Sequence, residues 1–293
     1  MTFLSYLIGG ISLGSVYAII ALGYTMVYGI AKMLNFAHGD VIMVGAYVCF
    51  FACSRFNLPP LVGVLLAMLV CTILGIIIEK LAYKPLRNAT SLAVLITAIG
   101  VSYLLQNAAL LLWTPNPKVF SSVVGNGSLV LFDGQLTISV VSIVTVAACI
   151  VIMIGLTLFT SKTKIGKAMR ACSEDKGAAQ LMGINVNRTI SITFAIGSAL
   201  AAVAGVLLCS AYPTLTPTTG SMPGIKAFTA AVFGGIGSIP GAMLGGILLG
   251  IIEIFAKAYI STQLSDAIVF AVLIIVLLVK PAGLLGKTVR EKV

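Results

Sequence analysis

Residues 189–225 read TISITFAIGSALAAVAGVLLCSAYPTLTPTTGSMPGI and contain no Asp, Glu, Lys or Arg. The segment 134–161 is equally free of charged residues. An apolar run of about 20 residues is long enough to cross the hydrocarbon core of a bilayer as a helix. These two segments therefore predict transmembrane helices over about 190–211 and 138–160.

The composition of the whole chain extends this prediction. Of its 293 residues, 59% are hydrophobic and 9% are charged, and the mean hydropathy is +1.14, whereas a soluble domain carries about 25% charged residues. We predict an all-α, polytopic integral membrane protein: one transmembrane domain over residues 1–293, with about eight or nine helices. The apolar windows that define these helices are 3–31, 39–54, 58–78, 91–113, 138–160, 190–211, 225–238, 240–257 and 264–280.

The basic residues predict which loops face the cytoplasm, because Lys and Arg collect in cytoplasmic loops of membrane proteins. If the helices alternate regularly, fourteen basic residues fall on one side and four on the other. The larger group is Lys32, Lys80, Lys84, Arg87, Lys162, Lys164, Lys167, Arg170, Lys176, Arg188, Lys280, Lys287, Arg290 and Lys292; the smaller is Arg55, Lys118, Lys226 and Lys257. This asymmetry predicts a cytoplasmic loop at about 161–189 and an outer loop at about 114–137. The outer loop fits either a contact site for an external protein or an inert connector.

Two stretches interrupt the helical pattern: MLNFAHGDVIMVGAY (33–47) and FGGIGSIPGAMLGG (233–246). Gly and Pro weaken a helix, and non-helical backbone inside a membrane is tolerated only against protein or a water-filled cavity. Broken helices in transporters often mark the transport pathway. The candidate pathway residues are therefore those near the two breaks: Asn35, His38, Gly39, Asp40, Gly234, Gly235 and Gly237.

Three of these candidates, Asn35, His38 and Asp40, form the densest polar cluster near a predicted membrane face. One interpretation is that they line or gate the pathway. The other is that Asn35 and Asp40 cap helix ends while His38 hydrogen-bonds a neighbouring carbonyl group. The residues alone leave both interpretations open.

Charge and glycine spacing predict structural roles elsewhere. Glu253 and Lys257 stand at i and i+4 of a predicted helix, the favourable order for an ion pair, and we expect Lys226 and Asp266 at the membrane interface. Glycines spaced by four residues let helix backbones approach closely in a membrane. The glycines in such a pattern are Gly10, Gly14, Gly237, Gly241, Gly245, Gly246 and Gly250.

Motifs for enzymatic chemistry are missing from the sequence. The stretch most similar to a phosphate-binding loop is GLLGKT at 283–288, which has two residues between its glycines instead of four. The single histidine and the six cysteines have no metal-site spacing, and we expect the cysteines to be small core residues. We predict no catalytic residue, no cofactor, no metal site and no nucleic-acid partner.

The predicted cytoplasmic loop, residues 161–189, carries a short amphipathic helix. Ser173 is a good helix cap, acidic residues suit a first turn, and Gly183 is a good helix stop. A helix over about 173–183 is too short to be stable alone. Its apolar side chains are best explained by docking into a groove of another protein, and a solvated linker is the alternative.

The stretch AAQLMG (178–183) resembles the AA-x3-G core of the loop by which bacterial ABC importer permeases engage their ATPases. Because this resemblance implies a coupling role, we call residues 161–189 the coupling segment. Other stretches, in the same order along the chain, resemble one branch of these proteins, the LivH-type permeases of branched-chain amino acid importers. They are LGSVYAIIALGYTMVYGI, NFAHGD, KPLR, RACSEDKGAAQLMGIN, AGVLL, GIKAFTAAVFGGIGSIPGAMLGG and PAGLLGK. The resemblance covers nearly the whole chain.

This resemblance implies a multi-pass subunit of an ATP-driven importer in the bacterial inner membrane. Its partners would be a second permease of the LivM type, two cytoplasmic ATPases, and a periplasmic binding protein that delivers leucine, isoleucine or valine. The residues that would engage an ATPase are Arg170, Ser173, Glu174 and Asp175 as polar contacts, and Ala178, Ala179, Leu181 and Gly183 as an apolar knob. Related permeases for urea or short amides share similar stretches, and a stand-alone ion-coupled transporter is the alternative of a different class.

Overall fold

A computed structural model describes residues 2–87, 89–125, 127–131 and 136–286 of the chain. Three members of the predicted cytoplasmic basic group, Lys287, Arg290 and Lys292, lie outside these residues. The helices are α1 (Thr2–Ala31), α2 (His38–Ser54), α3 (Pro60–Ile78), α4 (Ser91–Trp113), α5 (Val140–Lys162), α6 (Lys164–Glu174), α7 (Lys176–Leu181), α8 (Val186–Ala211), α9 (Ser221–Gly234), α10 (Ile239–Tyr259) and α11 (Ser265–Val279). A π-helical turn (Glu79–Tyr83) and a 3-10 turn (Lys84–Leu86) follow α3.

Most of these helices are long and apolar, so the prediction of an all-α, multi-pass membrane protein is confirmed. Among the described residues, α1, α3 with its following turns, α4, α5, α8 and α10 are each long enough to cross a membrane. Three further apolar helices are shorter: α2 has 17 residues, α11 has 15 and α9 has 14. The predicted window 225–238 corresponds to α9, which begins and ends earlier in the chain.

Two small antiparallel pairs of strands lie in the connections between helices. Strand β1 (Lys118–Val119) pairs with β4 (Thr214–Leu215), and β2 (Ser128–Leu131) pairs with β3 (Leu136–Ser139). The β1–β4 pair joins the loop after α4 to the loop after α8. The predicted outer loop is therefore attached to the segment that leads into α9.

Backbone contact between α1 and α10 confirms the packing role predicted for the glycines. A Cβ atom on Gly250 would lie 2.2 Å from the Cα of Gly14, and a Cβ on Gly14 would lie 2.6 Å from the Cα of Ile247. The opposite face of α10 approaches α9 equally closely, since a Cβ on Gly245 would lie 2.2 Å from the Ala230 carbonyl oxygen. Helix α10 therefore lies between α1 and α9 at distances that only glycine permits.

Gly237 was wrongly included in this packing pattern. It lies in the break between α9 and α10 with φ of 94°, and among the described residues, apart from its two chain neighbours, no atom lies within 4 Å of the position of its Cβ. A positive φ is accessible to glycine at little cost. The residue therefore permits the turn between the two helices.

Both predicted interruptions are true breaks in the helices. After α1 ends at Ala31 the chain is non-helical up to Ala37, and it leaves α9 at Gly234 and enters α10 at Ile239. The imidazole of His38, at the start of α2, lies against Gly23 of α1. Gly23 is about 12 Å from the end of α1 at 1.5 Å per residue, so α2 begins inside the membrane span. We call residues 32–37 the re-entrant segment.

The segment that follows α11 completes the end of α9. The backbone N–H groups of Leu284 and Leu285 donate to the carbonyl oxygens of Phe233 and Gly234 at 2.9 Å each. The last carbonyl groups of a helix have no partner within the helix, and a buried carbonyl group without a partner costs free energy. The stretch PAGLL at 281–285 therefore satisfies the C-terminus of α9.

An ion cluster fixes the other half of α9 to its neighbours. The Glu253 carboxylate, 1% exposed, accepts from Lys226 Nζ at 2.8 Å, from Lys257 Nζ at 2.6 Å and from the Tyr17 hydroxyl at 2.8 Å. Lys226 also reaches Asp266 at 2.6 Å. The predicted pair of Glu253 and Lys257 is confirmed. Lys226 is buried between two carboxylates, and its position at the membrane interface stays a prediction. The cluster joins α1, α9, α10 and α11.

We expect Gly250→Ala to lower the thermal stability of the detergent-purified protein. The new methyl group would overlap the backbone of α1, and overpacking of this kind costs about 1–3 kcal/mol. Gly155→Ala is the control, because Gly155 is a helical glycine with nothing within 4 Å of its Cβ position. Equal melting temperatures for the two variants would contradict the close contact between α1 and α10.

We expect Glu253→Ala to lower the free energy of unfolding by on the order of 3 kcal/mol, because it leaves buried donors without their acceptor. Asp266→Ala removes the other carboxylate that contacts Lys226, but the Asp266 side chain is 42% exposed. We expect this second variant to cost about 1 kcal/mol or less. Thermal unfolding of both variants in the same detergent measures the difference, and a larger loss for Asp266→Ala would refute this ranking.

Candidate functional site

The coupling segment folds into two helices, α6 and α7, where the sequence predicted one. The Asp175 carboxylate caps α7 by accepting from the N–H groups of Gly177 at 2.7 Å and Ala178 at 3.0 Å. The prediction of Ser173 as the cap is wrong, since its hydroxyl donates to the Arg170 carbonyl oxygen within α6. Glu174 is the last residue of α6 and not the first turn of the next helix. Asp175 is favoured as a cap for the same reason as Ser: its short side chain reaches the free N–H groups of the first turn.

The predicted end of the short helix is confirmed. Gly183 has φ of 81°, and its N–H donates to the Gln180 carbonyl oxygen at 3.0 Å. The N–H of Ile184 donates to the Ala179 carbonyl oxygen at 3.0 Å. A left-handed glycine with these bonds closes a helix and satisfies its last carbonyl groups.

The tip of α7 presents two large apolar side chains outward. Leu181 is 90% exposed and Met182 is 82% exposed. Ala178 and Gly183 are also exposed, but Ala179 is only 3% exposed and packs against its own chain. Ala179 is therefore not available to a partner as part of the predicted apolar knob, whereas Met182, which the prediction left out of the knob, is. Arg170 and Glu174 are exposed on the neighbouring α6.

Lys176, at the first position of α7, connects the coupling segment to α1. Its Nζ donates to the Ala31 carbonyl oxygen at 2.7 Å, which is the last carbonyl of α1. Burial lowers the pKa of Lys176, and the positive charges of Arg87 and Lys32 lower it further. From the sequence, Lys176 was predicted only to be one of the cytoplasmic basic residues. No pattern along the chain shows that its side chain reaches the end of a distant helix.

A second connection runs from the start of α8 to the π-helical turn after α3. Glu79 is fully buried and pairs with Arg87, which also donates to the Asn187 side chain. The Ser191 hydroxyl donates to the other carboxylate oxygen of Glu79 at 2.6 Å. Buried charge is tolerated when it is paired and hydrogen-bonded in this way.

Asn35 lies in the re-entrant segment and is joined to the same π-helical turn. Its Oδ1 accepts from the Tyr83 hydroxyl at 2.9 Å, and both residues are buried. The alternative that Asn35 caps a helix is not what the structure shows, because the N-cap of α2 is Ala37 and makes no side-chain cap hydrogen bond. Asn35 instead attaches the re-entrant segment to the end of α3.

Asp40 lies in the first turn of α2 and is held from α4. Its Oδ1 accepts from Gln106 Nε2 at 2.9 Å, and the same amide nitrogen lies 3.3 Å from the hydroxyl of Ser221 at the start of α9. Asp40 is buried. The capping role considered for Asp40 is therefore replaced by a contact that brings together α2, α4 and α9. No sequence pattern pointed to Gln106, because it is one of several polar residues scattered along an otherwise apolar helix.

His38 is buried between α1 and the start of α2. Its ring centroid lies 4.6 Å from that of Tyr24, and within the described part of the chain its Nε2 has no hydrogen-bond partner. The side chain fills the space that Gly23 leaves open on α1.

The starts of α2 and α9 cross at backbone distance. A Cβ on Gly220 would lie 1.8 Å from the Gly39 carbonyl oxygen, and a Cβ on Gly224 would lie 2.9 Å from the Gly39 Cα. Of the predicted pathway residues, Asn35, His38, Gly39 and Asp40 therefore lie on or beside one crossing. Gly220 and Gly224 were not predicted, because they lie at the start of α9 and the second predicted break, which is real, lies at its other end.

The remaining pathway candidates, Gly234, Gly235 and Gly237, are separated from this crossing by the length of α9, about 20 Å. A Cβ on Gly29 of α1 would lie 3.3 Å from the Gly237 Cα, and a Cβ on Gly235 would lie 2.3 Å from the N–H nitrogen of Gly286. The candidates thus form two groups, one at each end of α9. Both groups are closely packed in this conformation.

Comparison with known proteins agrees with this architecture. The family model described as "Branched-chain amino acid transport system / permease component" matches residues 6–277. The high-affinity branched-chain amino acid transport system permease protein BraD of Pseudomonas aeruginosa is 46% identical over 302 residues, which cover 99% of this chain and 98% of that protein. The permease protein LivH of the corresponding Escherichia coli (strain K12) system is 46% identical over 307 residues, with the same two coverages.

Among solved structures, PsaBC from Streptococcus pneumoniae in complex with Fab matches 94% of this chain and 90% of that chain. The TM-score is 0.47 and the identity 16%, a level of likeness that supports no functional comparison. The family match and the full-length relatives are sufficient by themselves: the chain belongs to the family of branched-chain amino acid transport system permease components.

Proposed function

We propose that this chain is a transmembrane permease subunit of an ATP-driven importer that carries leucine, isoleucine and valine across the bacterial inner membrane. The full-length identity of 46% to two permeases of branched-chain amino acid systems supports the substrate class. The subunit works with two cytoplasmic ATPases, a second permease of the LivM type and a periplasmic binding protein. The chain itself conducts the amino acid and does not hydrolyse ATP.

The observation that carries the proposal is the exposed apolar tip of α7. Leu181 and Met182 extend from a helix of six residues, in the loop that the basic residues predict to be cytoplasmic. A helix this short is not stable by itself, and here it is held by the Asp175 cap and the Gly183 stop. A rigid apolar projection on a surface outside the membrane is suited to a hydrophobic groove of a partner protein. We assign this groove to the ATPase.

The crossing of α2 and α9 is the proposed barrier in the transport pathway. Two helices that begin inside the membrane meet there through glycine backbone, with Asp40 and Gln106 beside them. Helix ends at membrane depth are the usual site of substrate passage in transporters. Because the crossing has no side chains between the two backbones, a displacement of either helix acts directly on the barrier.

The substrate class is tested with the assembled transporter in proteoliposomes that contain ATP. We expect uptake of labelled leucine to be inhibited by unlabelled isoleucine and valine, and to be unaffected by urea or acetamide at the same concentration. If urea or acetamide inhibited this uptake and isoleucine and valine did not, the chain would be assigned to an amide importer. Leucine uptake by the chain alone, driven by an ion gradient without ATPases, would refute the importer and favour a secondary transporter.

We expect Gly183→Arg to abolish ATP-dependent leucine uptake while the protein remains in the membrane at the normal level. The replacement places a long charged side chain beside Leu181 and strains a left-handed backbone position, at a cost of about 1–2 kcal/mol. Uptake in cells that express the variant, normalised to the amount of membrane-embedded protein, measures the effect.

Gly125→Arg is the matched control for this experiment. Gly125 also has a positive φ, of 89°, and open space at its Cβ position, but it lies in the loop between α4 and α5. We expect this control to take up leucine normally. Normal leucine uptake by Gly183→Arg would contradict the proposal that α7 docks on the ATPase.

A further inference from the structure

Two contacts connect the coupling segment to the re-entrant segment, and they approach it from different sides. Lys176 of α7 donates to the Ala31 carbonyl oxygen, one residue before the re-entrant segment. Arg87 pairs with Glu79 of the π-helical turn and also donates to the Asn187 side chain at the start of α8. Tyr83 of the same turn donates to Asn35 of the re-entrant segment. The re-entrant segment is thus held at its start and in its middle.

The contact at Ala31 is the more direct of the two. The Ala31 carbonyl belongs to the last turn of α1, where carbonyl groups have no partner within the helix. The next residue, Lys32, has φ of 58°, a backbone conformation that is uncommon for residues other than glycine. The Lys176 ammonium therefore supplies a charge-assisted hydrogen bond at the point where the chain turns back towards the membrane interior.

The surroundings show why the contact depends on Lys176. Arg87 and Lys32 are the positive groups that act on its ammonium, and α6 presents Cys172 to it. Lys176 is half-buried, and its hydrogen bond to Ala31 is at 2.7 Å. A lysine side chain that was free to move would turn away from two neighbouring positive charges. The hydrogen bond to the Ala31 carbonyl oxygen therefore holds the Lys176 ammonium in place.

We propose that Lys176 is a positioning residue that transmits movement of α7 to the re-entrant segment and so to the start of α2. When the partner ATPase displaces α7, the bond to Ala31 moves the end of α1 with it. The re-entrant segment then displaces His38 and Gly39, and the crossing of Gly39 with Gly220 separates. This inference rests on the proposed function, because it requires a motor protein docked on α7.

The test uses the assembled transporter, purified through a tag on this chain and reconstituted with the binding protein. Lys176→Met keeps the length of the side chain but cannot donate to the carbonyl. Lys167→Met is the control, because it removes the same charge from an exposed position of the same segment. The measured quantities are the yield of complex, the rate of ATP hydrolysis and the ratio of leucine transported to ATP hydrolysed.

We expect Lys176→Met to assemble normally and to hydrolyse ATP, while its transport-to-hydrolysis ratio falls about tenfold, a change typical of a lost coupling interaction. Lys176→Arg retains a donor of similar reach and should restore most of the ratio. Hydrogen exchange of the backbone N–H groups in residues 32–37 should be faster in Lys176→Met than in Lys167→Met. A residue that only stabilised the fold would change the yield of complex and leave the ratio intact.

A ratio for Lys176→Met equal to that of Lys167→Met would overturn the inference, as would unchanged exchange in residues 32–37. If Lys176→Met does not assemble, Lys176→Gln, which is neutral and too short to reach Ala31, is judged by the same two measurements. Failure of the proposed function gives a different result, because no ATPase would then co-purify with the wild-type chain. If the wild-type complex is intact and transports with ATP, and Lys176→Met transports equally well per ATP, then only the role of Lys176 is refuted and the proposed function stands.

Discussion

The arrangement of this protein depends on backbone contact between α1 and α10. Lipid is as apolar as the side chains, so helices in a bilayer gain little by burying apolar surface and associate mainly through close packing. Gly14 and Gly250 allow these two backbones to touch, and α10 repeats the device on its other face against α9. The position of α9 relative to α1 therefore follows from two contacts that have no side chains between them.

Broken helices create unpaired backbone groups, and each break described here has its own solution. The carbonyl groups at the end of α9 accept from Leu284 and Leu285, and the last carbonyl of α1 accepts from Lys176. Both partners come from segments distant in the sequence. Where a carbonyl group is buried from water, such a long-range bond supplies the partner that its own helix lacks.

The buried charges divide the molecule into two polar regions with different surroundings. Glu253 is satisfied by two lysines and a tyrosine beside α9, whereas Glu79 is satisfied by Arg87 and Ser191 beside the coupling segment. The first region fixes α9 to three other helices. The second region, near the exposed tip of α7, joins elements that the proposed mechanism requires to move together.

The sequence by itself determined the membrane class, the order of helices, the two breaks and the short helix that stops at Gly183. These features depend on local composition and on residues a few positions apart, which is the range over which hydropathy, caps and glycine act. The cap at Asp175, the burial of Ala179 and Lys226, and the partners Gln106, Gly220 and Tyr83 were decided only by the tertiary structure. Each of these depends on which side chain or backbone group of a distant helix occupies the same space, because hydrogen bonds and steric contacts act over a few ångströms in space, whatever the separation along the chain.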